Sequence, residues 1–157
     1  MSIYEKLVFA RKNKVFGNFA YIVLKLLGAE IPLSVVIGHG FLLHHGGVGV
    51  VIHPKTIIGD RVGIYPGVTL GRSDVFRPAS QSSFVGINIG DDVILGAGSK
   101  VLCEKGILMI GNGTVLGANA VLLNSTGMNE IWAGIPARKV GDRENPVQPD
   151  RAENGII

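Results

Sequence analysis

Four histidines stand at positions 39, 44, 45 and 53. Imidazole is the side chain whose charge changes near neutral pH. A solvent-facing histidine here is therefore the natural candidate for a general base. Three of the four fall in one run, Ile37-Gly38-His39-Gly40-Phe41-Leu42-Leu43-His44-His45. The rest of that run is apolar or glycine, so the rings interrupt a packing pattern and need their own explanation. Any one of them taken alone would more often be a surface residue than a catalytic one. The lone Cys103 excludes an intrachain disulfide framework and suits a reducing compartment. It reads as a packing residue rather than a nucleophile.

The elements that must position these rings follow from a six-residue step. Aliphatic residues recur at Ile31, Ile37 and Leu43, then at Ile52, Ile58, Ile64 and Leu70. A second block runs through Ile89, Leu95 and Val101, and then Ile110, Leu116 and Leu122. Gly38, Gly59 and Gly71 follow their aliphatics directly; Thr56, Val62 and Val68 sit four after theirs. Neither the helix period nor the strand period gives this spacing. It is a hexapeptide repeat, the mark of a parallel β-helix in which three units make one triangular coil. Roughly four coils are expected. From Leu43 to Ile52 the step is nine, which places a small insertion just after His45. Residues 72–85 lack the step and are rich in Ser, so they should leave the prism as a long loop.

With 157 residues and 46% hydrophobic content the chain is one domain with a real core. Its 23 glycines are spread at repeat spacing and read as bends, not linkers. A net charge of +3 is too diffuse to argue for nucleic acid but is compatible with an anionic ligand. Residues 1–28 read as a helical segment, with Ser2 and Glu5 forming a capping box. Tyr4, Leu7, Val8, Phe16, Phe19, Ala20, Val23 and Leu27 give its apolar stripe. A cap on the open end of the solenoid, or a contact with a partner subunit, is the first reading. A membrane-surface helix is the alternative, because Lys6, Arg11, Lys12, Lys14 and Lys25 flank the stripe. No segment reads as a targeting signal or a span. Residues 29–141 hold the repeats and 142–157 form a polar tail.

The motifs taken together resemble the hexapeptide-repeat acyltransferases, in the branch of serine acetyltransferases and polysaccharide O-acetyltransferases. They are Glu30-Ile31-Pro32, Ile37-Gly38-His39-Gly40, His44-His45-Gly46-Gly47, Val50-Val51-Ile52, Gly67-Val68-Thr69-Leu70-Gly71, Leu95-Gly96-Ala97-Gly98 and Gly134-Ile135-Pro136-Ala137-Arg138. The resemblance implies an all-β, left-handed parallel β-helix assembled as a homotrimer, with acetyl-CoA bound between subunits and no metal. It places His45 at the catalytic histidine and Glu30 where a carboxylate orients it. Small residues at Gly96, Ala97, Gly98, Gly117 and Ala118 leave room for a pantetheine arm, and Arg138 and Lys139 suit its phosphates.

The departures from that family shape the expected acceptor. His44 stands where serine acetyltransferases carry Asp. The loop at 72–85 lacks their Gly-Gly-Asp-Arg-His-Pro run, and their large N-terminal helical domain is reduced to one short segment. A sugar hydroxyl on a glycan precursor is therefore expected first, and serine second, as in cysteine biosynthesis. His44, Arg72, Asp74 and Arg77 are the expected acceptor contacts. A cytoplasmic protein is expected, with the inner face of the membrane as the alternative location. Two rivals remain. His39 and His44 also resemble the gamma-class carbonic anhydrases, whose zinc needs a third histidine upstream that this chain lacks. A non-catalytic scaffold is the other.

Overall fold

The computed structural model describes residues 1–144. The tail expected at 142–157 lies almost wholly outside them. Strands are numbered in chain order. The first face of a prism carries β1 (Val36–Ile37), β4 (Thr56–Ile58), β7 (Phe84–Ile89) and β10 (Gly106–Ile110), stacked in that order. The second face carries β2 (Leu42–Leu43), β5 (Gly63–Ile64), β8 (Ile94–Leu95), β11 (Val115–Leu116) and β13 (Glu130–Gly134). The third carries β3 (Val51–Ile52), β6 (Thr69–Arg72), β9 (Lys100–Cys103) and β12 (Val121–Leu122). All of these pair in parallel; β14 (Ala137–Asp142) alone runs antiparallel, closing a hairpin on β13. The fold is the left-handed β-helix.

The six-step aliphatics explain the prism. Every one of them points inward and is at most 3% exposed. Each buried Ile or Leu contributes about 1.5–3 kcal/mol of transfer free energy. Thr56, Val62 and Val68 fill the gaps between them.

The corners need a second rule. Where the first face turns into the second, the side chain of one coil accepts a backbone N–H from the coil before it. Asp60 takes the N–H of His39 at 2.7 Å, Asp91 that of Asp60 at 2.8 Å, and Asn112 that of Asp91 at 3.0 Å. The residue just before each donor is a glycine, because the accepting oxygen stands where a side chain would go. A Cβ at Gly59 would lie 2.4 Å from Asp91 Oδ1. Arg61 forks onto Asp92 at 2.8 and 2.7 Å, binding the same corner across coils.

Two helices precede the prism, α1 (Ile3–Ala10) and α2 (Gly17–Leu26). Ser2 and Glu5 make the expected capping box. The stripe on α2 differs from expectation. Gly17, Ala20 and Leu24 face inward, while Phe16 and Phe19 are exposed. The cause is close approach: a Cβ at Gly17 would meet the Arg11 carbonyl oxygen at 2.5 Å, so the small face turns inward. Arg11 does not flank a membrane face. It is buried, and its guanidinium donates to the carbonyls of Val8, Ile31 and Pro32, tying α1 to the first coil. Lys12 donates to Ile37 O and Lys25 to Glu30, so two more of the expected basic rim are engaged. No helix among the described residues is long and apolar enough to cross a membrane.

Candidate active site

The nine-residue step after Leu43 becomes a tight turn at His44–Gly47, between the second and third faces. His45 lies there in the left-handed region, at φ 50° and ψ 34°. That conformation costs a residue with a Cβ about 1–2 kcal/mol. The surroundings hold it. Gly46 and Gly47 also have positive φ, and a Cβ on Gly47 would clash with Leu43 Cγ at 2.4 Å. The His45 ring is exposed and makes no hydrogen bond among the described residues; its ring neighbour is Tyr65, tilted at 6.4 Å.

His44 has a different place from the acceptor contact expected of it. Its ring stacks on Tyr65 at 4.1 Å and 14°, and its Nε2 is buried without a partner. Burial lowers its pKa, the neighbouring His45 lowers it further, and Glu5 opposes them. His44 is thus held neutral as a packing group beneath the turn.

Glu30 pairs its backbone with Val51 on the third face. Its carboxylate meets Lys25 Nζ at 3.1 Å, not the His45 ring. The orienting contact expected between Glu30 and His45 is therefore not formed in this chain.

The small residues expected to flank a pantetheine arm do share one line with the turn. They stack along the same corner, coil below coil. Gly67 donates to Val48 O, Gly98 to Pro66 O and Asn119 to Ala97 O. Gly96, Gly117 and Ala118 occupy the same corner, and Ala133 closes it, 3.5 Å from where a Gly117 Cβ would sit. Arg138 pairs with Ala133 in the closing hairpin. Four steps at the usual strand spacing put that end roughly 19 Å from the turn. Lys139 is less free than expected, meeting Glu130 at 3.2 Å and Asp142 at 2.7 Å.

The other candidates lie on other corners. Arg72 donates to Asp74 Oδ1 at 2.8 Å and to the carbonyls of Asp74 and Arg77. Asp74 is buried, and the Ser82 hydroxyl and Arg72 hold its carboxyl below the ordinary range. These two residues brace the loop, which leaves the third face. Arg77 reaches Glu104 at 3.8 Å. They are not poised toward an acceptor at His45 within one chain. His53, also at that corner, accepts the Lys55 N–H and sits edge-on to Phe84. His39 is fully exposed on the remaining corner. His39 and His44 thus stand on different corners, and no three metal-ligating side chains gather among the described residues.

No protein-family model matches the chain. Curated relatives are clear. It is 37% identical over 115 residues to a serine acetyltransferase of Helicobacter pylori, covering 73% of this chain and 62% of that protein. It is 36% identical over 119 residues to the serine acetyltransferase of Mycobacterium tuberculosis, covering 76% and 48%. Among solved structures, a serine acetyltransferase from Brucella abortus in complex with coenzyme A superposes with a TM-score of 0.68 at 26% identity, covering 90% of this chain and 54% of that one. A soybean serine acetyltransferase complexed with serine gives 0.67 at 29%, covering 85% and 52%. The chain belongs to the hexapeptide-repeat acyltransferases.

The chain spans about three-fifths or less of the length of these relatives. Three of its site residues escape a reading of the sequence. Tyr65 is off the repeat's aliphatic positions, and only the fold stacks it on His44. Tyr4 arrives from α1 and lies over Gly46. Lys100 curls back to donate to the carbonyls of Gly67 and Gly98, on the small-residue corner. The Gly-Ser-Lys spacing at 98–100 carries the last of these signals, but it does not distinguish a lysine that folds back from one that projects into solvent.

Proposed function

We propose that the chain moves an acetyl group from acetyl-CoA to an acceptor hydroxyl, with His45 as general base. The observation that carries this reading is one exposed imidazole at the head of a corner lined by small residues. His45 takes the proton of the hydroxyl as its oxygen attacks the thioester carbon, and returns it to the departing thiolate. A base so placed contributes about 10²–10⁴-fold. The residues present fit the donor: Gly96, Ala97, Gly98, Gly117 and Ala118 leave the corner thin, Lys100 retains an N–H for an amide oxygen, and Arg138, which spends one donor on the Ala137 carbonyl, keeps others for phosphate. Glu30 is the orienting carboxylate of this reading by its place in the motif, although its carboxylate here meets Lys25. The relatives support serine as the first acceptor and reverse the order expected from the sequence, in which a sugar hydroxyl came first. A glycan hydroxyl is the second acceptor, supported by a loop at 72–85 that lacks the Gly-Gly-Asp-Arg-His-Pro run. Assembly as a homotrimer supplies the missing wall, since His45 and the loop at 73–83 lie on different corners of one chain.

The test is thiol release by His45→Ala with serine and a panel of sugars. Transfer should fall by about 10²-fold or more, while coenzyme A binding by calorimetry is unchanged. Undiminished transfer in that variant overturns the mechanism.

A further inference from the structure

We infer that Tyr4, from the N-terminal helix, is a positioning residue for His45. The inference rests on the proposed role of His45 and extends it to a segment outside the prism. The turn at His44–Gly47 is a short 3-10 turn kinked in the middle, and it holds a histidine in a left-handed conformation. Strain of this kind persists only where neighbours over-determine it.

Two walls do so here. Tyr65 stacks beneath His44 from the prism side. Tyr4 closes the other side. Its ring lies against Gly46, so near that a Cβ there would stand 2.6 Å from Tyr4 Cζ and 2.9 Å from each flanking ring carbon. Gly46 is buried under that ring. The helix that delivers Tyr4 is itself pinned. Glu5 is buried and accepts the Ser2 N–H at 2.8 Å, and Arg11 is anchored on the first coil by the carbonyls of Ile31 and Pro32. Val8 is fully packed in the core, with Tyr4, Leu7 and Phe9 against it. A rigid helix therefore presses a flat ring onto the residue directly after His45. Removing the ring frees Gly46, and with it the backbone that aims the imidazole. Glycine is the one residue that tolerates such pressure, which gives the Gly46-Gly47 pair a physical reason beyond bending.

The test uses the full chain with Tyr4→Ala, Tyr4→Phe and Gly46→Ala. The ring matters and the hydroxyl does not, so Tyr4→Phe should match the parent. Tyr4→Ala should lower kcat by about tenfold to a hundredfold, the scale of an ångström-sized misplacement, with KM for acetyl-CoA and the Kd for coenzyme A within twofold. Gly46→Ala should reproduce this from the side of the turn, because its Cβ would meet the Tyr4 ring at 2.6 Å. A second readout does not need turnover: the His45 ring signals in a carbon–proton correlation spectrum should shift or broaden in both variants, while those of His39 and His53 stay. Unmoved His45 signals together with kcat within twofold in Tyr4→Ala overturn the inference. Moved signals in a parent chain that transfers acetyl to nothing would leave the clamp standing and overturn the proposed activity instead.

Discussion

At the scale of single residues, the two adjacent histidines have been given opposite environments. His45 stands in water with both nitrogens uncommitted, while His44 lies stacked under the turn with one nitrogen sealed. Burial, then the neighbouring His45, lowers the His44 pKa, so the folded chain holds that ring neutral where the unfolded chain would protonate it. The sign follows from linkage. Below the unfolded value, near pH 6.5, the unfolded state binds the extra proton, so stability falls as the solution is acidified. His53 is shifted the same way, by burial and by Lys55 and Arg72. It contributes a share of the same loss. His44→Phe keeps a flat ring on Tyr65 but cannot titrate. Denaturant unfolding between pH 7 and pH 5 should therefore show a shallower loss in that variant, with the His53 share remaining. An unchanged slope would mean that His44 is as free to protonate folded as unfolded.

At the scale of elements, the glycines of the prism are not alike. Gly59 sits where Asp91 of the next coil reaches over to accept a backbone N–H, whereas Gly71 in β6 has no atom within 4 Å of its missing side chain. Gly59→Ala should cost about 1–3 kcal/mol, as overpacking does, and Gly71→Ala should stay within about 0.5 kcal/mol of the parent. Thermal and denaturant unfolding of the two variants checks this; equal effects would remove the corner rule. The contrast also marks what could be read in advance. The six-step aliphatics announce the prism because each decides its own burial. The corner ladder does not announce itself, since Gly38, Gly59 and Gly90 answer to acceptors 22 to 32 residues further on. The same is true of the site. The nine-residue step exposes the turn that carries His45, and the small corner follows from the repeat. Glu30, Lys139 and Arg72 find their partners nearby in sequence, at Lys25, at Asp142 and Glu130, and at Asp74, but charge spacing alone does not say which neighbouring charge each side chain meets, so their ion pairs were not legible. On α2 the aromatic residues have the stronger hydrophobic signal, but close approach at Gly17 chose the smaller face.

At the scale of the whole molecule, the first face bears an apolar row that nothing among the described residues covers. Val36, Ile57, Asn88 and Met109 stand in register across β1, β4, β7 and β10. Val36, Ile57 and Met109 are 55%, 50% and 56% exposed, and Val85 and Ile107 widen the row. A contiguous row of this kind on a flat sheet marks a surface meant to be covered. A second copy of the chain is the occupant that the proposed trimer needs, because His45 lacks an enclosing wall and the loop at 73–83 leaves from a different corner. Ile57 points outward, so Ile57→Asp should leave the coil intact by circular dichroism while placing a charge in the seam, where an unpaired carboxylate is costly. Sedimentation equilibrium should then show a monomer in place of a trimer. Thiol release should disappear with the assembly, although His45, Tyr4 and the small-residue corner are untouched. A variant that stays trimeric would assign the seam to another face. One that turns monomeric yet keeps full transfer would show that a single prism holds both substrates by itself.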